Sequence, residues 1–180
     1  FAIPQTGGVQ AIATPYDEEL SKLGTKLGGT YVAYGGGAGA EGDRFRAEAK
    51  RTAEVSETTV AGSAPAEARA MRSVNKAVNA KAYIGDLLQN IENGSVKLES
   101  VAEADLPEDL KKLTPSERKQ EVDKRLAERK EIRNQIMALS KQRTDYIAAQ
   151  QKKQGGTGQN SFDVAVSAAL KQQLAKKGIR

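Results

Sequence analysis

Apolar residues recur at helical spacing near the start of the chain. Leu20, Leu23 and Leu27 fall on one helical face, and a pair of glycines follows them. Thr14 is a suitable N-cap, and Pro15 suits the first position of a helix. The pattern predicts a helix that begins after Thr14 and ends at the two glycines.

Four further helical stretches are predicted in the middle of the chain. Residues 43–56 and 64–80 are rich in Ala, Arg, Glu and Lys, and small and β-branched residues at 58–65 separate them. A short helical turn opened by Pro107 comes later. Between these stretches, helical spacing links four apolar residues, Ile84, Leu87, Leu88 and Ile91.

The clearest local signal opens the last third of the chain. Thr114 and Glu117 form a capping box around Pro115, in which each residue can satisfy a free backbone donor of the other. Neither Gly nor Pro follows until Gly155. The sequence therefore predicts one helix over residues 114–153, about 60 Å long at 1.5 Å per residue.

The apolar residues of this long helix predict how it packs. A strict heptad would put Arg125, Arg129 and Arg143 on the seam of a coiled coil. We therefore expect the helix to pack on neighbouring elements of its own chain. At 100° per residue its apolar side chains form one stripe, which comprises Val122, Leu126, Ile132, Ile136, Leu139 and Ile147.

The end of the chain predicts a helical hairpin. Residues 154–160 are rich in Gly and Gln and are typical of a hinge. We expect a last helix, closed by Gly178, to fold back on residues 114–153. Its apolar face comprises Phe162, Val166, Ala169, Leu170 and Leu174.

These elements predict a mainly α fold with four regions. They are a short strand and helix at 1–34, a flexible Gly-rich joint and helix at 35–63, a small helical subdomain at 64–113, and the hairpin at 114–180. The glycines at 35–39 also suggest a phosphate-binding loop. However, no Lys-Ser/Thr pair follows them and the strand-turn-helix setting of that motif is missing, which favours a linker.

The composition limits the chemistry that the chain can perform. It has no Cys and no His, so it lacks thiolate nucleophiles, imidazole bases and the N/S ligands of zinc sites. Its acidic residues alternate with Lys and Arg at helical spacing, which is typical of exposed ion pairs. We expect neither an enzyme nor a bound metal or organic cofactor. No apolar run approaches the roughly 20 residues of a membrane span.

The positive charge is concentrated in the last third of the chain. Residues 114–180 hold 15 Lys and Arg against 7 Asp and Glu. A solvated helical face explains this bias, and a polyanion or nucleic-acid site is the alternative. Only Tyr146 and Phe162 are available for base stacking there, which argues against nucleic acid. The candidate basic patch comprises Lys141, Arg143, Lys152, Lys153, Lys171, Lys176 and Lys177, with Arg180 beyond it.

The apolar faces are the candidate interaction surfaces. One short strand and one leucine-bearing helix cannot close a core, so we expect residues 1–34 to need a protein surface from outside or from a second copy of the chain. The candidate interaction residues are Leu20, Leu23, Leu27, Ile132, Ile136, Leu139 and Ile147.

Several runs resemble bacterial proteins with a von Willebrand factor A (vWA) domain. Residues 12–20, with the sequence IATPYDEEL, and residues 29–35, with the sequence GTYVAYG, resemble a segment that follows the last strand of that domain. Residues 106–110, 114–119 and 161–166 resemble the C-terminal extension of the same family. The resemblance covers most of the chain.

The resemblance implies a cellular location and a larger parent protein, but it does not assign a binding site to these residues. The family's metal site uses a DxSxS motif, which the chain does not contain, so that site would lie upstream in a longer polypeptide. Residues 1–34 would be the last strand and helix of the vWA domain. Family members usually carry secretion signals, which implies the cell envelope or exterior, although the absence of Cys fits the cytoplasm equally well. The expected function is protein association or assembly.

Overall fold

The computed structural model describes residues 12–79 and 81–153, apart from the side chain of Ala61. This part of the chain is mainly helical, as the sequence predicts, and its only strand-like pairing is the single antiparallel bridge between Ala33 and Asp86. Short 3-10 turns cover Leu98–Ser100 and Glu103–Asp105. The helices are α1 (Asp17–Gly29), α2 (Gly39–Ser63), α3 (Ala66–Val78), α4 (Leu87–Glu92), α5 (Glu108–Lys111) and α6 (Pro115–Lys153).

Helix α6 confirms the predicted long helix, with 39 uninterrupted residues. Its capping box is present. Glu117 accepts hydrogen bonds from the Thr114 amide at 2.9 Å and from the Thr114 hydroxyl at 2.7 Å, and the Glu117 amide donates to the Thr114 hydroxyl at 3.3 Å. The Thr114 hydroxyl and amide both lower the pKa of the Glu117 carboxyl. The terminal donors of the longest helix are thus satisfied locally.

The first core cluster lies where α1, α3 and α6 meet. Buried side chains from all three helices and from the loop before α4 form it: Leu20, Leu23, Leu27, Ala70, Tyr83, Ile132 and Ile136. Helix α1 runs antiparallel to α6, since Asp17 contacts Arg143 while Thr30 contacts Arg129. The apolar face of α1 is therefore covered by its own chain, and the expectation that this helix needs an outside surface is wrong. Residues 1–11, with the predicted strand, lie outside the described residues.

The second core cluster lies along the N-terminal part of α6. It comprises Val32, Leu87, Leu88, Leu106, Leu110 and Val122, all buried. The predicted subdomain at 64–113 is thus shared between two clusters, because α3 packs into the first and α4 and α5 into the second. The predicted hairpin partner at 161–178 lies outside the described residues.

Helix boundaries at α1, α2 and α4 differ from the sequence prediction. Helix α1 begins at Asp17, with Tyr16 rather than Thr14 at the N-cap position, and α2 begins at Gly39 rather than at residue 43. Helix α2 continues through 58–63, where the Thr58 and Ser63 hydroxyls donate to carbonyls four residues earlier, at 3.2 and 2.7 Å. Helix α4 starts at Leu87, several residues later than the apolar spacing indicates. Gly85 has φ +75°, outside the helical region, and the Asp86 carboxylate caps the helix by accepting from the Leu88 amide at 3.3 Å.

Gly24 explains why a glycine lies inside α1. A Cβ at this position would lie 2.0 Å from the Ser73 hydroxyl oxygen and 2.7 Å from the Ser73 Cβ, so the glycine permits the close approach of α1 and α3. We expect Gly24→Ala to destabilise the protein by about 1–3 kcal/mol, since overpacking outweighs the ~1 kcal/mol gain in helix propensity. Urea denaturation followed by circular dichroism measures this change.

Two variants control for the effect of Gly24→Ala. Gly29→Ala, at the open end of the same helix with no atom within 4 Å of the added Cβ, should be close to neutral. Adding Ser73→Gly to Gly24→Ala removes the clashing side chain and should recover part of the lost stability. A Gly24→Ala protein as stable as the wild type would contradict the close packing of α1 on α3.

Candidate functional site

An open groove lies between α2, α3 and the loop before α4. Its volume is about 470 Å³. Residues of α2 and of α3 line it, and so do the aromatic side chains of Tyr31 and Tyr83. The lining residues are Tyr31, Phe45, Glu48, Ala49, Thr52, Ala53, Ser56, Glu57, Arg72, Lys76, Ala82, Tyr83 and Ile84.

The groove exists because α2 presents small side chains towards the rest of the molecule. Ala49, Thr52 and Ala53 line its wall and leave the space beside α3 unfilled. Two large apolar side chains at the groove are open to solvent, Phe45 with 54% of its surface exposed and Ile84 with 92%. Apolar surface is thus available for contact with another molecule.

Charged side chains from both walls meet inside the groove. The Lys76 ammonium, on a residue only 7% exposed, contacts the Glu57 carboxylate. Arg72 lies one helical turn earlier on α3, and its Nη2 is 3.5 Å from the same carboxylate and donates to the Ser56 hydroxyl at 3.0 Å. Burial lowers the pKa of Lys76 to about 8.

Tyr83 supplies a buried polar group without a partner. The residue is 8% exposed, and its hydroxyl makes no hydrogen bond to the described residues. Burial raises the pKa of this hydroxyl to about 12, so it remains a neutral donor at physiological pH. Arg72 Nε is likewise buried without a partner in the same groove, and the Lys76 ammonium lies 5.4 Å from the centre of the Tyr83 ring.

Comparison of the chain with models of protein families, with curated proteins and with solved structures finds no match.

A second buried charge cluster joins α6 to α4 and to the segment after α1. Asp86 and Arg129 are both fully buried, and Arg129 Nη1 donates to the Asp86 carboxylate. Arg129 also donates to the Thr30 hydroxyl at 2.8 Å and to the Thr30 carbonyl at 2.7 Å. Asp86 accepts from the Val32 amide at 3.0 Å. These groups satisfy one another, which is typical of a structural cluster rather than a catalytic one.

The other two seam arginines of α6 also have acidic partners. Arg125 Nη2 is 2.7 Å from Asp109 at α5, and Arg143 Nε is 2.7 Å from Asp17 at the start of α1. Burial raises the pKa of Asp17, but the hydrogen bonds from Arg143 and Thr14 outweigh it and the pKa falls below its usual value. The seam positions therefore hold tertiary ion pairs, which explains why α6 packs on its own chain.

The Gly-rich segment after α1 is held by Arg46 of α2. Arg46 Nη1 donates to the carbonyls of Gly35 at 2.7 Å, Gly37 at 3.1 Å and Ala104 at 3.0 Å. The Gly37 amide donates to the Asp105 carboxylate at 2.7 Å. The predicted linker is thus tied to α2 and to the 3-10 turn at Glu103–Asp105.

Among the described residues, the interaction and basic-patch residues predicted from the sequence do not line this groove. In the candidate interaction set, Leu20, Leu23, Leu27, Ile132 and Ile136 form the internal core, Leu139 packs at its edge and Ile147 is half-buried. In the basic patch, Arg143 forms an ion pair with Asp17, while Lys141, Lys152 and Lys153 are exposed. Lys171, Lys176, Lys177 and Arg180 lie outside the described residues.

The groove residues are not predicted from the sequence. Ile84 is assigned there to a helical face, whereas it lies in a turn and is almost fully exposed. Lys76 is one of several lysines in a helix rich in charged residues, and nothing in its neighbourhood along the chain marks it as buried. Among the described residues, no group of three or more Asp or Glu side chains is arranged to hold a metal ion, and no helix has the length and apolar character needed to cross a bilayer.

Proposed function

We propose that this chain is a non-catalytic interaction module that binds another protein through the groove beside α2. The observation that carries the proposal is the unfilled groove with Phe45 and Ile84 exposed at it. Large apolar side chains grouped around a concavity are typical of protein contact sites, because their burial on binding removes apolar surface from water. The resemblance to vWA proteins supports a wider setting, in which the module is the C-terminal extension of an extracellular or envelope vWA protein.

The charge clusters support a binding role rather than a catalytic one. The two acids with the deepest burial, Asp17 and Asp86, are each engaged by an arginine of α6. A general acid or base must exchange a proton with a substrate, and a carboxylate held by a guanidinium and backbone amides is poorly suited to that exchange. Both acids instead hold the starts of α1 and α4 against α6.

Photocrosslinking in the native host tests the proposal. A photoreactive phenylalanine analogue at Ile84, in the polypeptide as its gene encodes it, should form a defined adduct that mass spectrometry identifies as a protein partner or a second copy. The same analogue at Val55, which is 51% exposed on α2 and does not line the groove, is the control. Equal adduct formation at the two positions would contradict a contact site at the groove.

Charge substitution measures the strength of the contact. With the identified partner purified, we expect the Phe45→Glu/Ile84→Glu double variant to bind at least tenfold more weakly, since two apolar contacts are lost. Val55→Glu should stay within about twofold of the wild type. Both variants should keep the wild-type helical signal in circular dichroism, because the altered side chains are exposed. Unchanged affinity in the double variant would refute the groove as the binding surface.

A further inference from the structure

Both core clusters form without an apolar side chain from α2 among the described residues. In the described part of α2, the buried positions are Gly42 and Arg46, and the least exposed apolar side chains, Ala49, Ala53 and Val60, are only half-buried. Burial of apolar surface is the dominant favourable term in folding. It therefore contributes little to holding α2 against the rest of the molecule.

Open cavities lie on two sides of α2. The groove, of about 470 Å³, is lined on one side by Ala49 and Ala53. A second cavity, of about 390 Å³, is lined by Arg46, Ala47 and Lys50 of α2 together with residues of α5 and of the segment after α1. Protein interiors are normally close-packed, so a helix flanked by cavities makes few dispersion contacts with its neighbours.

Two groups of polar contacts hold α2 in place. Near its start, Arg46 Nη1 donates to three backbone carbonyls outside the helix. In its second half, the Glu57 carboxylate contacts the Lys76 ammonium and lies 3.5 Å from Arg72 Nη2. Water replaces polar partners of this kind when a helix moves away, so each contact contributes only a small net free energy.

The two connections of α2 allow it to move. Gly35, Gly36 and Gly37 precede the helix with φ of +93°, +85° and +74°. Glycine adopts positive and negative φ about equally well, so this segment can change conformation at little cost. At the other end, only Ala64 and Pro65 separate α2 from α3, and both have extended backbone. Helix α2 can thus turn about residues 64–65 while the glycines accommodate the movement.

We propose that α2 is a strap that detaches from the rest of the molecule and docks again while α1, α3 and α6 stay folded. Detachment breaks the contacts of Arg46 and Glu57 but removes no side chain from either core cluster. It also opens the groove, because Phe45 belongs to α2 whereas Ile84 does not. The docked strap is thus the state in which the groove is complete. This consequence rests on the proposed function, whereas the detachment does not.

Native-state hydrogen exchange of the full chain, followed by mass spectrometry, tests the detachment. A single helix is only marginally stable in water, so the amides of a detached α2 exchange without unfolding of the other helices. After correction for intrinsic rates, we expect α2 amides to exchange at least about 100-fold faster than α6 amides around Ile136. Equal protection of α2 and α6 would overturn the proposal.

Ile136→Ala distinguishes detachment from unfolding of the whole molecule. The substitution weakens a core cluster that stays intact when α2 detaches. It should speed exchange of α6 about 100-fold and leave exchange of α2 within about twofold of the wild type. The milder Ile136→Val should show the same selectivity, with α6 accelerated about fivefold. Acceleration of α2 by the same factor as α6 would show that α2 opens only when the whole molecule unfolds.

Glu57→Gln tests the second attachment of the strap. It removes the charge that the Lys76 ammonium contacts in the docked state, and detachment returns this ammonium to water. Exchange of α2 should therefore accelerate at least about fivefold. Glu54→Gln, at an exposed position one turn earlier on the same helix, should change it less than about twofold. Equal effects of the two substitutions would contradict the attachment through Glu57.

Saturation with the purified partner identified by crosslinking at Ile84 tests the consequence for the groove. A partner that contacts both Phe45 and Ile84 binds only the docked state, so it should slow exchange of α2 at least about tenfold. Unchanged or faster exchange of α2 in the complex would contradict this consequence. If Phe45→Glu/Ile84→Glu still abolishes partner binding in that case, the proposed function stands without it. If those substitutions leave partner binding unchanged, the proposed function fails, while the detachment measured without a partner stands.

Discussion

Replacing Asp86 by Ala is expected to lower the free energy of unfolding by about 3–5 kcal/mol, because it leaves the guanidinium of Arg129 buried without its counter-charge. The substitution also removes an acceptor for the Val32 amide, which Asp86 binds at 3.0 Å. Arg129 is fully buried, so water cannot replace the lost carboxylate without opening the packing of α6. Urea denaturation followed by circular dichroism measures the change.

Glu92→Ala is the matched control for Asp86→Ala. Glu92 also pairs with an arginine of α6, Arg133, at 2.7 Å, but both side chains are more than one-fifth exposed. We expect its loss to cost less than about 1 kcal/mol, as for other solvent-accessible ion pairs. A cost for Asp86→Ala as small as that for Glu92→Ala would show that the buried pair does not hold α6 to α4.

A double variant identifies why Asp86→Ala loses stability. Asp86→Ala combined with Arg129→Met removes both charges, and we expect it to be more stable than Asp86→Ala alone, since no unpaired charge stays buried. The hydrogen bonds from Arg129 to Thr30 are lost as well, so the double variant should remain below the wild type. If the double variant is the less stable of the two, lost packing rather than an unpaired charge explains the effect.

Ile136→Ala is expected to destabilise the protein by about 3 kcal/mol. Ile136 is fully buried in the first core cluster, where the truncation removes apolar contacts and leaves a cavity between α1, α3 and α6. Met137 is the next residue on α6 and is 45% exposed. Met137→Ala should therefore cost less than about 0.5 kcal/mol. Similar losses at the two positions would contradict the register of α6 on the other helices.

The long helix could be predicted from local signals alone. A capping box, a proline in the first turn and the absence of a helix breaker over 114–153 agree with one another, and the observed α6 has the predicted extent. Its apolar stripe also identified Val122, Ile132 and Ile136, which are buried. These properties follow from residues close together along the chain, so sequence patterns capture them.

Helix boundaries at α2 and α4 depended on contacts that composition does not show. Residues 58–63 stay helical, with the Thr58 and Ser63 hydroxyls bonded to carbonyls of the same helix, although β-branched and hydroxyl residues usually weaken one. At α4 the apolar spacing begins at Ile84, but Asp86 is held by Arg129 from a position 43 residues away and fixes the helix start after it. A partner so distant cannot be identified from local periodicity.

The function of individual apolar and charged residues was also decided by tertiary packing. The sequence places Leu20, Leu23 and Leu27 on one apolar face of α1 but does not show what covers that face. Only the fold shows that α3 and α6 cover it. Conversely, Phe45 and Ile84 are large apolar residues, yet the fold leaves them 54% and 92% exposed at the groove. Burial depends on what lies opposite a side chain, which the sequence does not specify locally.

The sequence by itself determined a mainly α chain, the start and length of α6 and the absence of thiol and imidazole chemistry. Those properties depend on composition and on short-range backbone preferences. Tertiary structure alone decided that Arg125, Arg129 and Arg143 pair with acids from three other parts of the chain. It also decided that Lys76, Glu57 and Tyr83 lie together at one groove. Pairing and desolvation require residues far apart in sequence to be brought together, so only the folded arrangement fixes them.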